Sequence, residues 1–93
     1  MLERELIISN RLGLHARATA KLVQTLAPYR CNVTLAAKGR EVNAKSIMGV
    51  MLLAAGQGTP VTVRIEGSGD TKVEEEAMDA IVSLFERRFD EDA

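Results

Sequence analysis

Asn10-Arg11-Leu12-Gly13-Leu14-His15-Ala16-Arg17 joins an apolar run, Leu6-Ile7-Ile8, to a stretch of helical character from Ala16 to Ala27. That passage from strand through turn to helix decides how the chain is read. Gly13 permits a tight turn with positive φ. His15, the single histidine among 93 residues, falls where the helix begins. The first turn of a helix leaves backbone N–H groups without intrahelical partners, and these donors and the helix dipole favour an anion. A neutral imidazole at that point is a nucleophile, and a phosphoryl group placed on it falls among the N–H groups of Ala16 and Arg17. The Arg17 guanidinium adds a fork of donors matched to phosphate oxygens. The residues themselves point to an anion or phosphoryl site. A capping or surface histidine is the plainer alternative.

Outward from this junction the pattern divides into short elements. Leu2 to Ile8 reads as a first strand and Ser9 to Leu14 as a loop. On the helix from Ala16 to Ala27, the residues Ala16, Ala20, Val23 and Ala27 form one stripe, widened by Leu22 and Leu26. Pro28 discourages its continuation. Asn32 to Ala36 places Val33 and Leu35 on one face, Lys38-Gly39 is a hairpin signal, and Glu41 to Ala44 forms the return strand. Ser46 is a good N-cap for a short helix over Ile47 to Leu53. Gly56, Gly58 and Pro60 break the pattern without the spacing or lysine of a Walker loop. Val61, Val63 and Ile65 alternate with Thr62, Arg64 and Glu66 as a half-buried strand.

After the turn Gly67-Ser68-Gly69, Asp70 or Thr71 caps a last helix, and Thr71-Lys72-Val73-Glu74 fits a capping box. Val73, Ala77, Ile81 and Leu84 form that helix's buried stripe, with Phe85 beside it. Residues 90–93 read as a frayed acidic tail. The order β-α-β-β-α-β-α, with one hairpin at its centre, predicts a single α+β domain over residues 1–93.

Composition narrows the function. Aromatic residues make up 3% and tryptophan is absent, so the core is aliphatic. The single Cys31 can form no internal disulfide and reads as a small buried hydrophobe in a reducing compartment. No signal-peptide pattern or membrane-length apolar run is present, which predicts a cytoplasmic chain. Net charge is −1 but lopsided. Asn10 to Ala55 carries seven bases against one acid, a net +6, and Gly56 to Ala93 carries ten acids against four bases, a net −6. The basic stretch predicts an acidic protein partner. Nucleic acid is the competing expectation, but aromatic stacking platforms are missing. The sequence calls for no metal and no cofactor.

Gly13-Leu14-His15-Ala16-Arg17 resembles the active-site signature of the HPr phosphocarriers of the bacterial phosphoenolpyruvate phosphotransferase system. Lys45-Ser46-Ile47-Met48-Gly49-Val50-Met51 resembles that family's second signature, around its regulatory serine. The resemblance covers nearly the whole chain. It implies an HPr-like open-faced β-sandwich, with an antiparallel sheet in the order 1-4-2-3 covered on one face by three helices. It implies that His15 takes a phosphoryl group from phosphorylated enzyme I, as a pros-phosphohistidine, and passes it to EIIA-type proteins. Arg17 would attend the phosphoryl group. Ala16, Ala20, Lys21, Ile47, Met48 and Met51 would meet partners.

On the same resemblance the chain is a carrier in sugar transport and carbon regulation rather than an enzyme. It is expected to be a monomer, with Ser46 open to HPr kinase and His15 exposed to both partners. Ala18 departs from the proline usual after the arginine, and Ala27 and Gly49 stand where some relatives carry lysine. The ending Phe85 to Asp92 is similar to the nitrogen-related branch, whereas Ser46 to Met51 looks like kinase-regulated relatives. From a different class, a small nucleic-acid-binding or regulatory α/β domain remains the alternative.

Overall fold

Val61, Val63 and Ile65 are fully buried and the residues between them are not, so one face of this strand meets the core and the other does not. The computed structural model describes residues 1–91. Its elements are β1 (Leu2–Ile7), α1 (Ala16–Leu26), β2 (Asn32–Ala37), β3 (Arg40–Asn43), α2 (Ile47–Leu52), β4 (Pro60–Glu66) and α3 (Thr71–Glu86), followed by a short turn, Arg88–Asp90.

The strand with the cleanest alternation, β4, is central. It pairs antiparallel with β1 on one side and β2 on the other, and β2 pairs with β3, giving the order β1-β4-β2-β3. Ile65 lies opposite Leu2 on one side and Val33 on the other, and Leu35 lies opposite Val63, so apolar residues meet across three strands. The hairpin between β2 and β3 turns through Lys38 (φ 53°) and Gly39 (φ 77°), two left-handed residues between the paired Ala37 and Arg40. That sequence of angles suits the right-handed twist of the strands. α3 lies against β1 and β4, α2 against β3, and α1 against both α2 and α3. The other face of the sheet stays open, where the Arg64 Nε donates to the Glu3 carboxylate at 3.0 Å.

Three expectations are corrected. On α1 the buried residues are Ala18, Thr19, Leu22 and Leu26. Ala16 and Ala27 are exposed, and Ala20 and Val23 only half-buried. Alanines occur on two faces of this helix, and the leucines decide between them, because a buried leucine contributes about 1.5–3 kcal/mol and an alanine far less. At the start of α3 the cap is Asp70, whose carboxylate accepts from the Lys72 N–H at 2.9 Å. Glu74 therefore lies one residue too far for a capping box. It is buried instead and accepts from the Ser68 hydroxyl at 2.8 Å.

The third correction concerns the end of the chain. Asp90 and Glu91 are not a frayed tail; the remaining residues of that segment, 92–93, lie outside the described residues. Phe89 is fully buried, its ring 5.0 Å from that of Phe85. Arg88, Phe89 and Asp90 all have left-handed φ (55°, 55° and 61°), which reverses the chain from the end of α3 towards the start of α1. Left-handed backbone costs a non-glycine residue roughly 1–2 kcal/mol. The buried phenyl ring offsets part of that cost. A bond from the Lys21 Nζ to the Phe89 carbonyl (2.9 Å) and one from the Arg87 Nε to the Asp90 carboxylate (2.9 Å) offset more of it.

Candidate functional site

The loop before α1 is fastened at both ends. The Ile8 N–H donates to the Thr59 carbonyl (3.1 Å), the Gly58 N–H to the Ile8 carbonyl (2.7 Å), and the Leu14 N–H to the Ala55 carbonyl (2.9 Å). Gly13 sits at φ +67°, and a Cβ there would come within 2.4 Å of the Ala55 carbonyl oxygen. Glycine is required on both counts. The loop therefore delivers His15 to the start of α1 in a fixed position.

His15 is the N-cap of α1, with extended backbone at φ −77° and ψ −179°. Its Nδ1 accepts from the Arg17 N–H at 3.3 Å. Its Nε2 meets the Glu91 carboxylate. The other oxygen of Glu91 accepts from the Asn10 Nδ2 at 3.0 Å, and the same Asn10 nitrogen donates to the Gly13 carbonyl at 2.8 Å. Asn10 is fully buried, and its Oδ1 has no partner among the described residues. Burial tends to raise the Glu91 carboxyl, but bonds from Asn10 and His15 and the charge of Arg17 hold it below the usual carboxylate range. The His15 side chain is 28% exposed, less open than expected, because Glu91 covers its Nε2 edge.

Around the imidazole lies a cleft of about 740 Å³, lined by Arg11, Leu12, His15, Ala16, Arg17, Lys21, Asp90 and Glu91. Three cations and two carboxylates share it. Arg17 and Ala16 are exposed at its rim. Lys21, expected at a partner surface, is tied to the terminal turn through the Phe89 carbonyl and the Asp90 carboxylate (3.4 Å).

A second group of expected residues lies on α2. Ser46 caps it, its Oγ accepting from the Gly49 N–H at 3.1 Å. Val50 and Leu53 face the core, whereas Ile47, Met48 and Met51 are exposed, and so is Leu52. Sequence reasoning missed Leu52, Asn10 and Glu91. For Glu91 the available signal was Phe89, an aromatic residue four positions after Phe85 that a frayed end would leave in water. No cluster of His, Cys, Asp or Glu among the described residues could hold a metal ion. No helix among them is long and apolar enough to cross a membrane.

Fold and site define a small α+β protein that presents an imidazole at a helix N-terminus. A family model described as "PTS HPr component phosphorylation site" matches residues 2–87. The chain is 65% identical to the phosphocarrier protein HPr of Xylella fastidiosa over 92 residues, covering 99% of each chain. Among solved structures, an HPr from Thermoanaerobacter tengcongensis superposes with a TM-score of 0.90 at 42% identity, over all of both chains. An HPr dimer from the same organism superposes at 0.72 with 43% identity, over 96% of this chain and 98% of that one. The chain belongs to the HPr family, the phosphocarrier proteins of the phosphotransferase system.

Proposed function

We propose that His15 accepts a phosphoryl group on Nδ1 from phosphorylated enzyme I and passes it to an EIIA-type protein. One observation carries this reading: Nδ1 lies against the Arg17 N–H in the first turn of α1, while Nε2 is engaged by Glu91. The Nδ1 lone pair forms the P–N bond as the bond between phosphorus and its donor breaks. The transferred oxygens then lie at the helix N-terminus, where backbone donors and the dipole favour anions. Arg17, at the rim of the same cleft, supplies forked donors to those oxygens. The exposed Ile47, Met48 and Met51 serve as the apolar part of a docking surface, with Ala16, Ala20 and Lys21 at its edge. Methionine suits a surface that fits two different partners.

On this reading the chain works as a monomeric cytoplasmic carrier serving sugar transport and carbon regulation. Ser46 is a second modification site, for HPr kinase. A nitrogen-related branch with mainly regulatory output is the alternative within the family. The test is incubation with phosphoenolpyruvate and enzyme I, followed by intact mass. An acid-labile phosphate adduct on the parent chain, absent from a folded His15→Ala variant, is the expected result. Equal phosphorylation of both would remove His15 from the role.

A further inference from the structure

An imidazole has two nitrogens and, when neutral, one proton, so its chemistry depends on which nitrogen carries it. Nδ1 of His15 accepts from the Arg17 N–H and is therefore unprotonated. The ring proton is on Nε2, which donates it to Glu91. Glu91 is itself oriented: its second oxygen accepts from Asn10, whose amide is pinned by the Gly13 carbonyl. Asn10, Glu91 and His15 thus act in series, as a buried donor, a carboxylate and a nucleophilic ring. The carboxylate arrives there on the left-handed turn Arg88–Asp90, which Phe89 anchors in the core. Strained backbone of this kind persists only where its surroundings over-determine it. The other charged groups lining the cleft around the ring are Arg11, Arg17, Lys21 and Asp90.

We propose that Glu91 is the positioning residue of His15: it keeps the ring proton on Nε2, leaves Nδ1 unprotonated so that its lone pair can act as nucleophile once the Arg17 N–H releases it, and balances the charge the ring acquires on phosphorylation. This inference rests on the reading that Nδ1 takes the phosphoryl group. In the transfer, the Nδ1 lone pair bonds to phosphorus and the donor leaves with the electrons of its own bond to phosphorus. The proton stays on Nε2, so the ring becomes a cation with Glu91 as its counter-charge.

The order of two variants tests it. In Glu91→Gln, the Asn10 amide still requires an acceptor, so the new side chain turns its oxygen to Asn10 and its NH₂ to His15. A donor facing Nε2 competes with the Arg17 N–H for the ring's one acceptor nitrogen, so part of the population carries its proton on Nδ1, where it blocks the nucleophile. In Glu91→Ala, water accepts from Nε2 and the productive tautomer survives. Glu91→Gln should therefore be slower than Glu91→Ala in phosphorylation by phospho-enzyme I. Its loss should be on the order of 10- to 100-fold, the scale known for losing the partner that orients a metal-binding imidazole. Glu91→Asp should recover part of the parent rate. A residue that merely fills space would give the reverse order, since glutamine keeps the shape of glutamate. Imidazole ¹⁵N shifts of the unphosphorylated chains should show Nε2–H in the parent and a gain of Nδ1–H in Glu91→Gln. A Glu91→Gln variant as fast as Glu91→Ala, or with the parent's ¹⁵N pattern, would overturn the proposal. Phosphorylation of His15→Ala at the parent rate would instead overturn the proposed function; the tautomer comparison needs no phosphate and decides the role of Glu91 separately.

Discussion

Gly13 and Arg17 bracket His15 and constrain it in different ways. The atoms nearest to a Cβ on Gly13 are backbone, the Ala55 oxygen at 2.4 Å and the Gly56 Cα at 2.7 Å, and neither can swing aside. Gly13→Ala should lose roughly 2–5 kcal/mol, combining the left-handed penalty with overpacking. Urea unfolding would check this, and a loss below about 1 kcal/mol would mean that the loop shifts freely. Arg17 is exposed at the rim of the cleft, so its replacement should leave the fold intact and change the chemistry. Arg17→Lys should keep part of the transfer rate, because charge survives and the fork does not, and Arg17→Gln should lose most of it. Rates equal to the parent in both variants would exclude Arg17 from the phosphoryl group's surroundings.

At the scale of the element, α2 joins a cap to an exposed apolar face. The Ser46 Oγ accepts from the Gly49 N–H, so a negative group at Ser46 lies at the positive end of the helix and should not unfold it. A phosphate there adds about −1.5 to −2 charge beside Ile47, Met48 and Met51. If an acidic partner docks on that face, Ser46→Asp should slow the phosphorylation of His15 at low salt, recover at high salt, and change Tm little. Ser46→Ala should keep the rate and lose about 1 kcal/mol of cap stability. A Ser46→Asp variant as fast as the parent at low salt would leave Ser46 as a cap alone. Elements such as these were legible because adjacent residues specify them: Ser46 before Ile47, Lys38-Gly39 between strands, Val61, Val63 and Ile65 in alternation. The strand order came from the family resemblance, since alternation says which face of a strand is buried and nothing about its neighbours. The buried stripe of α1 was misread because its alanines fit either face. Glu91 was missed because its contact with His15 spans 76 residues and depends on three left-handed residues, none of them glycine.

Across the described residues, carboxylates fasten the segment that follows α3 and the turn before it to the body. Glu91 reaches Asn10 and His15, Asp90 reaches Arg87 and Lys21, and Glu74 reaches Ser68 and, at 3.4 Å, the Met1 amine. The bond from the Ser68 hydroxyl lowers the Glu74 carboxyl from its ordinary 4.5, against an opposing push from burial. Bonding to Arg87 likewise lowers Asp90 from 3.8. A carboxylate whose folded-state value is depressed binds its proton less readily folded than unfolded. Its contribution is therefore complete above the unfolded value, about 4, and is lost as pH falls through the lower folded value. Tm should stay level from neutral pH to about 4.5 and fall steeply below it. Glu74 isolates the effect, because it is remote from the His15 cleft. Glu74→Gln cannot ionise: it should melt below the parent at pH 7, lose less on acidification, and converge with the parent once the pH has fallen through the depressed folded value and Glu74 is neutral. Thermal melts of both chains across that range are the measurement. Parallel curves, with the same gap at pH 7 and below that folded value, would show that Glu74 acts by shape and hydrogen bonding and that its charge contributes nothing to folding.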